Sequence, residues 1–203
     1  MKVEFKIRNY KSSDLDKLYE ICLKTGDSGK DASMIYKDPF LLGHYYAAPY
    51  AVIHPELTFI LTKNEMPIGY ILGTDKSESF YHKCEEFWFP KLRDKYPLPE
   101  HNDDSPDSRI IKLIYNGILP KLPKNMLDEY PAHLHIDILP EGQGQGMGKK
   151  LIFTFIDKLK ELNVPALHLE VGKRNKDAIK FYEKIGFKQI KDYEFSIVYG
   201  MKF

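Results

Sequence analysis

The chain has 203 residues, 43% of them hydrophobic, which suffices for one substantial core and suggests a single domain spanning 1–203. Its 30 basic and 29 acidic side chains leave a net charge of +1, so there is no electrostatic case for nucleic acid or an anionic membrane as partner. The two cysteines, Cys22 and Cys84, have no paired spacing; neither a zinc motif nor a disulfide framework is indicated, no metal is expected, and a reducing cytoplasm is implied.

The first residues, Met1 to Arg8, alternate like a strand and lack the apolar run of a signal peptide or membrane span. Ser12 or Ser13 can cap a following helix carrying Leu15, Leu18, Tyr19 and Leu23. A loop over 25–31 leads to a second helical region over 39–51. Residues 57–62 and 68–73 read as a hairpin turning at Asn64, Glu65, Met66 and Pro67. Between 75 and 131 lies a long stretch rich in aromatics, among them Phe80, Tyr81, Phe87, Trp88, Phe89, Tyr96 and Tyr115. So many aromatics need burial, which predicts a structured cap, helical over 78–95 and 108–117, that shapes a pocket or a dimer contact or simply packs.

Residues 132–139 alternate polar and apolar, the period of a half-buried strand. Residues 150–162 put Leu151, Ile152, Phe155, Ile156, Leu159 and Leu162 on one helical face. The loop between them has glycine at every second position from Gly142 to Gly148. Glycines let an anion approach the backbone, and the helix start offers N–H groups and the positive end of its dipole. A Walker loop is excluded, because counting back from Gly148-Lys149 lands on Gln143 and Lys150 stands where a hydroxyl is required. The dinucleotide fingerprint fails as well: from Gly142, Gly144 or Gly146 its last position falls on Met147, Lys149 or Leu151.

The remaining pattern, Gln143-x-x-Gly146-x-Gly148, resembles the acetyl-CoA loop of the GNAT N-acetyltransferase superfamily. A strand over 167–171 and the run Asn175-x-x-Ala178-x-x-x-Tyr182-x-x-x-Gly186-Phe187 follow, similar to the signature that succeeds that loop in the same superfamily. The resemblance implies an α/β fold with a mixed, mostly antiparallel central sheet flanked by helices, here with a helical insertion between the third and fourth strands. It implies acetyl-CoA as donor, with Gln143, Gly144, Gln145, Gly146, Met147, Gly148 and Lys149 around the pyrophosphate and one or two of the nearby lysines at the 3′-phosphate. Backbone groups of Ile138 and Leu139 would hold the thioester and pantetheine, and Asn175 would contact the cofactor.

On a helix Asn175, Ala178, Tyr182 and Ile185 share one face. By resemblance Tyr182 protonates the departing thiolate; spacing alone favours a core aromatic with a satisfied hydroxyl. Aminolysis of a thioester also needs a base for the ammonium proton and a donor for the oxyanion. His133, His135 and Asp137 project from one face of the strand that leads to the loop and are the candidate bases, with Asp137 able instead to orient a histidine. The histidine pair is similar to the one on the corresponding strand of arylalkylamine N-acetyltransferases, though nearer the loop.

The whole-chain pattern, including 25–32, Trp88-Phe89-Pro90 and 131–137, resembles bacterial relatives of the acetyltransferase-like domain at the C-terminus of protein O-GlcNAcase. That resemblance implies a fold and not an acceptor. Asp27, Lys30, Asp31 and Tyr45 are candidate contacts to a small-molecule or peptide amine, each with a structural role as the competing reading. Homodimers are frequent in the superfamily, and a homodimer is expected here by analogy only. The competing function is a CoA-binding sensor that keeps the cleft without turnover.

Overall fold

A computed structural model describes residues 3–118, 120 and 122–203; Met1 and Lys2, which open the expected first strand, lie outside the described residues. The strands form one sheet in the order β1-β2-β3-β4-β5-β7-β6. β1 (Phe5–Asn9), β2 (Thr58–Lys63), β3 (Met66–Thr74) and β4 (Ala132–Ile138) pair antiparallel with one another in that order. Asn64 and Glu65 join β2 to β3 with φ of 49° and 68°, the left-handed pair a two-residue hairpin requires. β5 (Ala166–Gly172) lies parallel to β4, and β7 (Ser196–Lys202) inserts antiparallel between β5 and β6 (Lys188–Asp192). This is the mixed, mostly antiparallel sheet the resemblance implies.

Both faces of the sheet are covered. On one, α8 (Met147–Glu161) buries Leu151, Ile152, Phe155, Ile156 and Leu159 against Phe59, Leu61, Ile71, Leu134 and Leu167. Leu162, expected on that face, caps the helix instead and stays exposed. α9 (Lys176–Lys184) lies on the same side and buries Tyr182. On the other face α1 (Leu15–Thr25) sets Leu18, Ile21 and Cys22 against Ile60, Tyr70 and Leu72. β2 and β3 are therefore apolar on both sides and do not alternate, as strands between two layers must be.

The helical region expected over 39–51 is two short helices, α2 (Leu41–Tyr46) and α3 (Ala48–Ile53), broken where Ala47 leaves helical geometry ahead of Pro49. The insertion after β3 is helical, as its aromatic content predicts. α4 (Ser77–Lys83) passes through a π-helical turn at Cys84–Trp88 into α5 (Phe89–Lys95), and α6 (Pro106–Asn116) follows, N-capped by Ser105. α7 (Lys124–Glu129) is a further helix with no sequence expectation behind it. Phe80, Cys84, Phe89, Leu92, Ile110 and Ile114 are buried against α1 to α3, Tyr50 stacks on Phe80 at 4.2 Å, and Trp88 donates to the His44 carbonyl at 2.8 Å. Burial in this second core explains most of the aromatics. Among the described residues no helix is long and apolar enough to cross a membrane.

Candidate active site

The site is organised by β4. Leu139 donates its N–H to the Ile68 carbonyl at 2.8 Å, which sets the phase of the ladder. Odd-numbered residues of β4 turn their backbone groups to β3 and even-numbered ones turn them to β5. The β4–β5 pairing consists of Ala132 with Leu167 and His133 with His168, after which the strands part. The N–H groups of Ile136 and Ile138 consequently face the split. Ile138 suits the expected backbone role. The Leu139 N–H is already used, whereas that of Ile136 points to the split; only the ladder phase, invisible in sequence, distinguishes them.

A short 3₁₀ turn, Pro140–Gly142, carries the chain from β4 into the glycine loop. Gln143 donates its side-chain amide to the Ile138 carbonyl at 2.7 Å and ties the loop to the strand. Gly144 and Gly146 have φ of 71° and 74°, and nothing lies within 4 Å of where a Cβ would sit on either. Gly146 is also the N-cap of α8, and no side chain caps that helix. The loop thus presents bare backbone and an uncapped helix start to solvent, the cradle an anionic group requires. Met147 buries its side chain in the core and contributes main chain only; Gln145 and Lys149 are exposed, with the Lys149 ammonium 5.6 Å above the Phe153 ring.

The three candidate bases separate sharply. His133 is buried, its Nε2 bonded to the Tyr50 hydroxyl at 2.8 Å and its Nδ1 to Ser77 Oγ at 2.7 Å. Both nitrogens are occupied inside the fold, so His133 pins β4 to α3 and to the cap and has neither nitrogen free to take a proton. His135 is 35% exposed, stacks on Tyr46 at 6.0 Å, and sets Nε2 3.0 Å from Asp137 Oδ2. Asp137 is 16% exposed and accepts from the Tyr70 hydroxyl at 2.5 Å. Burial pushes the Asp137 carboxyl up, but the facing imidazole and hydrogen bonds from His135, Tyr70 and Thr25 outweigh it and hold the group below the ordinary carboxylate range. It is ionised at neutral pH.

Tyr182 is buried among Phe181, Phe187 and Tyr199, and its hydroxyl makes no hydrogen bond among the described residues. Burial, and behind it the Asp137 carboxylate, push the phenol well above its usual value, so it keeps its proton. Asn175 is the N-cap of α9, its Oδ1 accepting from the Ala178 N–H at 3.2 Å. Its free amide nitrogen lies 3.9 Å from where a Cβ on Gly29 would stand. The start of α9 therefore lies beside the 25–31 loop.

That loop is a tight turn in which Asp27 and Lys30 exchange backbone hydrogen bonds across Ser28 and Gly29. Lys30 and Asp31 line a groove of about 470 Å³ shared with Leu139, Pro140 and Glu141, beside the end of β4. Asp31 also accepts from the Ser33 N–H, and Asp27 lies 3.9 Å from Arg174. Tyr45 belongs to an aromatic wall, 4.8 Å from Tyr46 and stacked on Phe89 at 6.0 Å. Several residues here carry no sequence signal: Tyr70, placed on Asp137 by strand register, and Glu170 of β5, whose carboxylate bears on Tyr45, Tyr46 and Tyr81 and accepts from Ser196. Thr25, expected to open the loop, instead ends α1, where it and Cys22 are buried.

Three histidines, His44, His133 and His168, are held below the ordinary value, each chiefly by burial. Below a pH of about 6.5 the unfolded chain binds more protons at these positions than the folded one, so stability falls as pH falls, by at most about 1.4 kcal/mol per unit for each histidine kept neutral. The melting temperature is expected to drop between pH 7 and pH 5. A flat profile across that window contradicts the neutral assignment.

Comparison with known proteins agrees with this geometry. Residues 113–187 match the family model described as the acetyltransferase (GNAT) family. Protein O-GlcNAcase of Rattus norvegicus is 25% identical over 186 residues, 92% of this chain but 20% of that protein, so the chain spans about a fifth of the relative's length. The [ribosomal protein bS18]-alanine N-acetyltransferase of Haemophilus influenzae is 45% identical over 67 residues, 33% of this chain and 44% of that one. The crystal structure of SsHAT superposes with a TM-score of 0.89 at 34% identity and covers 98% of both chains. An open glycine loop, a parting strand pair and a whole-length relative converge, and the chain belongs to the GNAT acetyltransferase family.

Proposed function

We propose that this protein, acting as a single domain over 1–203, transfers the acetyl group of acetyl-CoA directly to a primary amine of a small molecule or peptide. The observation that carries this reading is the split between β4 and β5 with the open glycine cradle at its mouth. Acetyl-CoA, once bound, supplies an activated thioester; positioning and a few polar groups of the chain supply the rest. The main chain of Gly144 and Gly146 and the start of α8 bind the pyrophosphate. The Ile138 N–H, facing the split, donates to the thioester oxygen as charge develops there.

The His135–Asp137 pair takes the proton of the incoming ammonium. His135 is the reachable member and Asp137, ionised behind it, stabilises the imidazolium. The Tyr182 hydroxyl, proton-bearing and unpartnered, protonates the leaving sulfur; the second proton lost by the acetylated nitrogen passes to solvent, from which the tyrosinate is re-protonated. A covalent acyl-enzyme is disfavoured because burial raises both thiols above their ordinary value. Lys30, Asp31, Tyr45 and Glu170 border the acceptor side.

The test is calorimetric titration of the purified chain with acetyl-CoA, CoA and ATP, followed by thiol release with a panel of amines and peptides. Acetyl-CoA binding with amine-dependent release of CoA is expected, and binding without release from any amine overturns the transferase. Gly146→Val places a β-branched residue at φ 74° in the cradle, which costs about 1–3 kcal/mol in backbone strain. It is expected to weaken acetyl-CoA by about 10-fold or more, while an unchanged affinity would place the pyrophosphate elsewhere.

A further inference from the structure

Beneath the base pair lies a third group that the proposed chemistry does not use. Cys22 reaches from the buried face of α1 toward β4, and its Sγ, a His135 ring nitrogen and an Asp137 oxygen all lie within 4.8 Å of one another. His135 Nε2 and Asp137 Oδ2 are 3.0 Å apart. A tetrahedral zinc ion, with metal–ligand bonds of about 2.0–2.3 Å, needs its ligand atoms roughly 3.3–3.7 Å apart, within a few tenths of an ångström of the His135–Asp137 pair and inside the limit of the whole set. One sulfur, one imidazole and one carboxylate suit zinc or cobalt, and not magnesium or calcium, which take oxygen.

The supporting groups are also in place. Tyr70 donates to Asp137 and Tyr46 stacks on His135, so both ligands are oriented by neighbours that remain after a cation enters. His135 is the partly exposed member of the three, at 35%, and is the side from which an ion would arrive.

We propose that Cys22, His135 and Asp137 form a site for one thiophilic divalent cation, zinc by its donor set, whose occupation shuts the enzyme off by seizing the base. Binding displaces the Cys22 thiol proton to solvent and forms a zinc–thiolate bond, with no change in oxidation state. No sequence spacing announces such a site, since its ligands come from a helix and a strand more than a hundred residues apart. The inhibitory part rests on the base assigned above; the binding part does not.

The experiment uses the full, reduced chain titrated with zinc chloride by calorimetry in two buffers of different ionisation enthalpy, and in parallel with cobalt chloride by absorption. One ion per chain, proton release and a sulfur-to-cobalt charge-transfer band are expected. Cys22→Ser is expected to weaken zinc by about 100-fold or more, beyond what loss of an outer-shell partner costs, and Cys84→Ser to change nothing. A cobalt complex without the sulfur band, measured on the unaltered chain, overturns the site whether or not a variant folds; so does equal zinc affinity in Cys22→Ser. Stoichiometric zinc on a chain that transfers no acetyl group would sink the proposed function and leave the metal site standing. Full acetyl transfer by the zinc-loaded chain would overturn the inhibitory role.

Discussion

Tyr182→Phe is expected to lower the turnover number by about 100- to 10,000-fold, the contribution of a positioned general acid, while leaving acetyl-CoA affinity within about twofold. The hydroxyl has no protein partner among the described residues, so its removal breaks no bond in the fold. The ring contacts with Phe181, Phe187 and Tyr199 survive the change. Melting temperature should therefore stay unaltered, and a loss of rate cannot be charged to misfolding. Steady-state thiol release and calorimetry on the same sample read both quantities. Equal turnover in the variant removes the tyrosine from the mechanism.

Asp137→Asn should cost both rate and stability. Tyr70 and His135 both meet the same carboxylate oxygen, Oδ2, so an asparagine oxygen there keeps both contacts but loses the charge that strengthens them and that stabilises an imidazolium. A fall in turnover of about 100-fold or more is expected, with about 1–3 kcal/mol of stability lost at neutral pH. The sign of the pH dependence follows from the lowered carboxyl value. A depressed acid contributes stability that is fully present above its unfolded value and is lost as pH falls through the folded one, so the gap between parent and variant should narrow below pH of about 4. His135→Asn is the partner experiment: being more exposed, it should lose rate with far less effect on denaturant midpoint. If Asp137→Asn and His135→Asn both keep their rate, the base lies elsewhere, and Glu170, across the split, is the next group to change.

How much of this was readable before the fold was known depends on whether the signal is local. Glycine spacing, the helix face of Leu151 to Leu159 and the Asn175 to Phe187 run are all carried within one element, and the structure has them where the sequence puts them. Cross-element facts were not readable. That Tyr70 pairs with Asp137, that Ile136 and not Leu139 faces the split, and that His133 is plugged by Tyr50 and Ser77 all depend on register or on the inserted cap. β6 and β7 gave no expectation either: β6 is a largely polar strand at the sheet edge, Lys188-Gln189-Ile190-Lys191-Asp192, which has no buried face to alternate.

The brief β4–β5 contact has a mechanical consequence. Two residue pairs join a plate of β1 to β4 to a plate of β5, β7 and β6, so the sheet is continuous in topology yet compliant along a single seam. Any molecule that bridges the seam completes a ladder the polypeptide leaves unfinished, and stiffens both plates at once. Its binding energy is then shared with the fold, about 2.7 kcal/mol of added stability at a hundredfold excess over Kd. The donor, in this view, is for the length of its stay a missing strand.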